Sequence, residues 1–204
     1  MAQVGVEVIQ ARARFSDGNS VELTDPVAQA TRVIRSRFFI IATGGRPTIP
    51  KIEGIDRVGC RTNENLFEMK EQPKRLLILG AGPIGIEMAQ AFRRLGSAVT
   101  LTDHGTRILR RDDAELTAIL EQSLRREGVD FQLGGEVERI EPGMAWLKGG
   151  GRIAFDAVLA ATGRRPNTES LHLADAGVEH NEQGIAVDDH CRTTRKNIFA
   201  CGDV

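Results

Sequence analysis

What this chain lacks closes off several classes of protein before any motif is read. Aromatic residues make up only 4% of it, so a core drawn from a 41% hydrophobic content must rest on Leu, Ile, Val and Ala. No apolar run approaches the roughly 20 residues that a membrane-crossing helix needs. Neither sign of charge dominates: 27 Lys and Arg stand against 28 Asp and Glu, for a net charge of −1. Bulk charge therefore suggests neither nucleic acid nor an anionic membrane as a partner. Cysteines number three, Cys60, Cys191 and Cys201, an odd and scattered set that fits a reducing compartment better than a disulfide scaffold. The opening MAQVGVEVIQ has neither the basic nor the apolar stretch of a secretory signal, and a cytoplasmic setting is the expectation. A length of 204 residues allows one or two domains.

What is present is concentrated between Lys74 and Asp103, KRLLILGAGPIGIEMAQAFRRLGSAVTLTD. Leu76 to Leu79 is a continuous apolar run, as expected of a strand buried on both faces of a parallel sheet. It leads into Gly80-x-Gly82-x-x-Gly85 and then into Met88, Ala89, Phe92 and Leu95 at helical spacing. Pro83 suits the first helical turn and Gly96 the stop. A second strand, Val99 to Thr102, ends on Asp103. Strand, glycine turn, helix, strand and acid follow the order of a dinucleotide-binding βαβ unit. In that unit Gly80 makes the tight turn, Gly82 lets the backbone approach a pyrophosphate, and Gly85 lets helix and strand pack closely. The pyrophosphate would sit on the helix N-terminus, beside Pro83 and Ile84. Asp103 stands close to the distance at which a carboxylate takes the adenosine ribose hydroxyls. An acid there favours NAD(H) by repelling the 2′-phosphate of NADP(H), although Arg107 and Arg110 follow closely and keep NADP(H) open as the weaker expectation.

Downstream, DDAELTAILEQSLRREG proposes a helix with Leu116, Ile119, Leu120 and Leu124 as one apolar stripe. Acids at its start and Arg125 and Arg126 at its end match the helix dipole. GVDFQL then reads as a strand, and EVERIEP, MAWLK, Gly149-Gly150-Gly151 and RIAFDAVLAATG read as an antiparallel excursion closing on a last parallel strand.

The phrase LAATGRRP at 159–166 has a twin, IIATGGRP, at 40–47. The likeness is longer than the phrase. GVEVIQARARF from Gly5 matches GVDFQLGGEVERI from Gly128, and SVELTD with TRVIRSRFFII matches the later hairpin and strand. The second copy is preceded by glycine loop, helix, acid and helix, whereas the first has only Met1 to Val4 before it. The expectation is one whole α/β, Rossmann-like dinucleotide-binding domain, parallel sheet plus antiparallel β-meander, with remnants of a second, related α/β domain.

These residues together resemble the flavin-dependent pyridine nucleotide-disulfide oxidoreductases, a group that includes dihydrolipoamide dehydrogenase and mercuric reductase. The resemblance runs over nearly the whole chain, through IIATGGRPTIPKIEGID, TNENLF, QPKRLLILGAGPIGIEMAQAF, ATGRRPNTESL and NIFACGDV. It implies residues 1–50 as part of an FAD-binding domain, 51–166 as the NAD(P)-binding domain, and 167–204 as the returning FAD-domain segment. It implies that Thr43, Gly44 and Gly45 line an FAD site and that Asp203 meets the ribityl chain. It also implies that Gly80, Gly82, Gly85, Asp103, Val137 and Gly163 contact NAD(H) and that Glu87 lies near the nicotinamide. The implied parent is a homodimeric, FAD-dependent enzyme passing hydride from NADH to FAD, and electrons on to a disulfide or another acceptor.

The departures from the family pattern limit this chain. Its FAD glycine loop, its CxxxxC redox pair and its C-terminal His-Glu pair find no match here. No catalytic residue and no metal ligand is therefore named. The three cysteines read as structural or surface thiols, and His104, His172, His180 and His190 as solvent-facing. The chain is expected to be a fragment that binds NAD(H), binds FAD weakly or not at all, and is inactive alone. A non-catalytic NADH-binding regulatory module is the alternative.

Overall fold

The computed structural model describes residues 5–204; the lead-in at Met1 to Val4 lies outside the described residues. The chain divides into two compact units, Met1–Arg46 with Arg165–Val204, and Pro47–Arg164. The outer unit starts with an antiparallel meander of β1 (Arg12–Asp17), β2 (Ser20–Thr24) and β3 (Thr31–Arg35). The first turn is made by Asp17, whose Oδ1 accepts the Asn19 N–H at 2.7 Å, a side-chain mimic of a backbone turn. β4 (Phe39–Ile41) and the short β5 (Gly45–Pro47) follow. The sequence matches GVEVIQ to a strand, yet residues 6–10 belong to none.

The inner unit carries β6 (Arg75–Leu79), α1 (Pro83–Arg94), β7 (Ala98–Asp103), α2 (Ala114–Glu127) and β8 (Asp130–Leu133). Then come β9 (Val137–Glu141), β10 (Met144–Leu147), β11 (Arg152–Ala154) and β12 (Ala157–Ala160). Four strands form a parallel sheet in the order β12-β6-β7-β8. Leu76 to Leu79 are buried on both faces of β6, as the unbroken apolar run requires. Leu76 and Ile78 join Val99, Leu101 and Leu159 in a cluster with Ile86 and Ala89 of α1 and Leu124 of α2. Leu77 and Leu79 face the other way, into Val137, Ile140, Ala145 and Ile153 of the antiparallel β9-β10-β11 layer.

Local chemistry sets the helix ends. Pro83 opens α1, and Gly96 just past its end holds φ of 106°. Asp113 caps α2, its Oδ1 accepting the N–H groups of Glu115 at 2.9 Å and Leu116 at 3.1 Å, and Gly128 closes the helix in the left-handed conformation. The apolar stripe of α2 differs from expectation. Thr117, Leu120 and Leu124 face the sheet, while Leu116 and Ile119 are exposed. At about 100° per residue Ile119 lies well round the helix from the 117/120/124 row, while Leu116 sits at its edge, about 40° from Leu120, and four leucine-type residues cannot tell where the sheet's cover ends.

The chain returns to the outer unit through β13 (Arg164–Pro166), β14 (His180–Asn181), β15 (Gly184–Ile185) and β16 (Ile198–Ala200). β16 pairs in parallel with β4, Ile198 opposite Phe39 and Ala200 opposite Ile41. Phe15, Ile41, Leu171, Leu173, Val178 and Ile198 form that unit's core. Among the described residues no helix is long and apolar enough to cross a membrane.

Candidate functional site

The turn from β6 into α1 shows why three glycines are needed and why their reasons differ. Gly80 has φ of 109°, and a Cβ there would run into the Ala161 carbonyl just beyond β12. Gly85 sits in the first turn of α1, where a Cβ would strike the Gly80 carbonyl and lie 3.5 Å from Ala161 Cβ. Both close the helix onto the sheet. Gly82 is unlike them: it precedes α1 with no side chain capping the helix, and a Cβ on it would meet nothing within 4 Å. No group of the inner unit requires glycine at 82. The open space before a helix whose first-turn N–H groups lack a side-chain cap is the kind of place that accepts a phosphate. Pro83 is exposed and Ile84 half-buried beside it.

Asp103 ends β7. Its Oδ2 accepts the Ala81 N–H at 2.8 Å and its Oδ1 accepts the Gly105 N–H at 2.6 Å, with His104 Nδ1 3.6 Å from Oδ1. The acid thus pins the glycine turn as well as standing beside it. The bond to Ala81 is invisible in the sequence. It follows from the register, which sets Leu79 opposite Thr102 and so brings the next residues of both strands together.

The two arginines that tempered the choice of nucleotide have separate fates. Arg107 donates to the carbonyls of Leu109, Arg110 and Asp112 and to Thr117 Oγ1, so its guanidinium holds the loop before α2. Arg110 lays its side chain over Gly105, near Asp103: a Cβ at 105 would lie 2.8 Å from Arg110 Nε and 3.0 Å from Asp103 Oδ1.

Of the other positions singled out in this unit, Gly163 follows β12 with φ of 135° and open space at its Cα. Glu87 is exposed on α1, and no hydrogen bond or ion pair engages it among the described residues. Val137 is core: it packs with Leu77, Leu79 and Ile140, leaving only its main chain to meet a ligand.

In the outer unit Asn167, which the sequence reading passed over, organises the ATG turn. Its N–H donates to Gly44 O at 2.9 Å, its Nδ2 to Thr43 O at 3.0 Å, and its carbonyl accepts Thr43 Oγ1–H at 2.9 Å. Gly44 has φ of 63°, and a Cβ on Gly45 would come within 3.1 Å of the Asp203 carbonyl. Tertiary structure therefore brings Thr43, Gly44, Gly45 and Asp203 to one place. Arg46 is bound to Glu169 at 2.6 Å, and that guanidinium pulls the Glu169 carboxyl down to about 2.

All four histidines are exposed, and no group of three or more His, Cys, Asp or Glu among the described residues could hold a metal ion. The three cysteines are free thiols. Burial pushes the Cys60 thiol up to about 11, so at pH 8 its thiolate fraction is on the order of one in a thousand. Cys191 and Cys201 are exposed. A maleimide at pH 8 is expected to label those two at least about tenfold faster than Cys60, read by mass spectrometry of the digested protein; equal labelling of Cys60 would show that its pocket opens.

Comparison with known proteins places this geometry. The family described as pyridine nucleotide-disulphide oxidoreductase matches residues 1–204. Mercuric reductase of Lysinibacillus sphaericus is 36% identical over 206 residues, covering 97% of this chain and 37% of that protein. Among solved structures, the HOCl-induced flavoprotein disulfide reductase RclA from Escherichia coli superposes with a TM-score of 0.85 at 34% identity. That match covers 97% of this chain and 45% of the other. The water-forming NADH oxidase from Lactobacillus brevis, bound to NADH, superposes with a TM-score of 0.82 at 29% identity over 95% of this chain and 45% of its own. The chain thus spans less than half the length of each.

Proposed function

The chain belongs to the pyridine nucleotide-disulphide oxidoreductase family, and we propose that it is the NAD(H)-binding part of an FAD-dependent oxidoreductase that passes hydride from NADH to FAD and electrons on to a disulfide or other acceptor. The observation that carries this reading is the turn at Gly80, Gly82 and Gly85. Two of its glycines are demanded by packing and the third by nothing but the open space in front of α1. When bound, the nicotinamide and the flavin supply the redox chemistry. The protein's task is to hold and orient them.

In this reading Gly82, Pro83, Ile84 and Gly85 present the start of α1 to the pyrophosphate, and Asp103 accepts the adenosine ribose hydroxyls. Glu87 and the backbone at Val137 and Gly163 border the nicotinamide end. Thr43, Gly44, Gly45 and Asp203 supply flavin contacts in the outer unit, too few to retain FAD without a glycine loop of its own. The chain by itself is then inactive, and the acceptor is chosen by residues outside it. A homodimeric parent in the cytoplasm completes the proposal. Asp103 sets the preference for NADH, while Arg110 is the cation beside it that would meet a 2′-phosphate.

The test is a parallel titration of the purified chain with NADH and NADPH, followed by nicotinamide fluorescence. Saturable binding with NADH the tighter ligand is expected. Tighter NADPH would transfer the specificity to Arg110, and binding of neither would sink the nucleotide assignment.

A further inference from the structure

A left-handed backbone suits glycine and, among the rest, short polar residues such as asparagine, yet Leu109 holds φ of 45°. Among the described residues it is the only non-glycine position of the inner unit with a positive φ. A leucine stays in that conformation only where its neighbours over-determine it, and here they do. Ile108 just before it is fully buried. Leu109 N–H donates to Ala81 O at 2.9 Å, and Leu109 O accepts the Asp112 N–H at 2.9 Å. Over this bend lies the Arg107 guanidinium. Its Nη2 donates to Arg110 O at 2.6 Å, and its Nη1 reaches Asp112 O at 3.1 Å, Thr117 Oγ1 at 3.3 Å and Leu109 O at 3.4 Å. One rigid fork thus gathers three carbonyls of the bend and ties them to the start of α2.

What the bend holds is the glycine turn. Asp103 Oδ2 accepts the Ala81 N–H at 2.8 Å, and Leu109 takes the Ala81 carbonyl, so both main-chain groups of Ala81 are engaged. The Ala81 carbonyl shares its trans peptide with the Gly82 N–H, and in such a peptide the two point in opposite directions. Fixing the carbonyl on Leu109 therefore turns the Gly82 N–H away from the bend. That N–H donates to no protein group among the described residues, and a Cβ on Gly82 would meet nothing within 4 Å. A free main-chain donor beside open space is held in one direction by a leucine that is itself held by Arg107.

We infer that Arg107 is a positioning residue for the dinucleotide, acting through Leu109 and the Ala81 carbonyl to aim the Gly82 N–H at the pyrophosphate. The inference rests on the nucleotide reading above and deepens it. Arg107 acts without touching the ligand: what matters is the planar fork that keeps Leu109 left-handed, not the positive charge. Asp103 and Arg107 divide the task. Asp103 fixes the Ala81 N–H directly, and Arg107 fixes the carbonyl through a strained residue. Without the fork Leu109 relaxes toward negative φ, its N–H leaves Ala81, and the peptide between Ala81 and Gly82 is free to rotate.

The experiment compares the parent chain with Arg107→Lys, and with the double variant Arg107→Lys, Leu109→Gly, by NADH titration, thermal melting and amide hydrogen exchange. Lysine keeps the charge and a long stem but cannot offer a planar fork to three carbonyls. Arg107→Lys is expected to weaken NADH at least about fivefold. Exchange at residue 109 should quicken at least about tenfold while β6 and β7 stay protected. Glycine adopts a positive φ at no steric cost, so adding Leu109→Gly should bring NADH affinity most of the way back, even as loss of the leucine side chain lowers the melting temperature further. A role in packing alone would give the reverse, with binding falling again. Full NADH affinity in Arg107→Lys overturns the inference, as does a double variant that binds no better than Arg107→Lys. Exchange that rises across β6 and β7 as well would show Arg107 holding the whole unit rather than the turn, and overturns it too. A parent chain that binds no NADH refutes the nucleotide reading and this inference with it. A parent chain that binds NADH no better than Arg107→Lys leaves that reading standing and removes this inference alone.

Discussion

Gly85→Ala is expected to destabilise the inner unit and abolish NADH binding, while Gly82→Ala leaves the unit folded and loses the nucleotide alone. A methyl at 85 has to displace main chain, the Gly80 carbonyl, with Ala161 Cβ at 3.5 Å behind it. Neither can swing aside as a flexible side-chain end would. Overpacking of this kind costs about 1–3 kcal/mol, and a rigid backbone obstacle puts Gly85→Ala near the top of that range. For a chain of this size that is on the order of 10 °C in melting temperature. A methyl at 82 meets nothing within 4 Å, and the φ of −78° there is open to any residue. Its structural cost is the loss of a favoured helix cap, under about 1 kcal/mol. Yet it fills the space proposed for the pyrophosphate and should weaken NADH at least about tenfold, or by roughly 1.4 kcal/mol. Calorimetry and NADH titration on the two variants separate the effects. If Gly82→Ala binds NADH normally, the space before α1 is not the phosphate site.

Asp103→Ala should lower stability and nucleotide affinity together, because one side chain has two tasks. Removing the carboxylate strands the N–H of Ala81, a buried residue, and also frees Gly105 N–H. A buried donor left without its partner costs about 1–3 kcal/mol. Loss of the ribose acceptor should weaken NADH by at least about tenfold beyond that. Asp103→Asn is the sharper probe: an amide oxygen can still accept the Ala81 N–H, and stability should largely return. Its NH2 would face the Gly105 N–H, so the turn should not be fully restored. The amide also no longer repels a 2′-phosphate, so the NADH-over-NADPH preference should narrow in Asp103→Asn even where the melting temperature recovers. An unchanged ratio would mean that Asp103 is a structural pin and that another group reads the ribose.

The exposed pair Leu116 and Ile119, and the segment 6–10, which belongs to no strand among the described residues, show where local reading reaches its limit. Periodicity told correctly that α2 is a helix, since its Asp113 cap and Gly128 stop are local. It could not tell which face the sheet would cover, because that depends on where β7 and β8 lie. In the same way GVEVIQ has the letters of β8, but a strand needs a neighbour to satisfy its N–H and C=O groups. β8 has β7, and residues 6–10 pair with no strand among the described residues.

Local pattern is enough to give the parallel strand β6, the glycine turn, the placing of Asp103 and the doubling of the ATG strand. Each of these rests on short-range spacing: a buried run, a φ that only glycine adopts readily, a fixed number of residues from turn to acid. Tertiary structure alone decided that Asp103 holds Ala81, that Arg107 is spent on a loop while Arg110 stays by the acid, and that Asn167 gathers Thr43 and Gly44. It alone set Gly45 against Asp203 and left Ile40 bare where Leu159 is buried. Those outcomes depend on which strands become neighbours and in what register, and that is settled by the packing of the whole sheet.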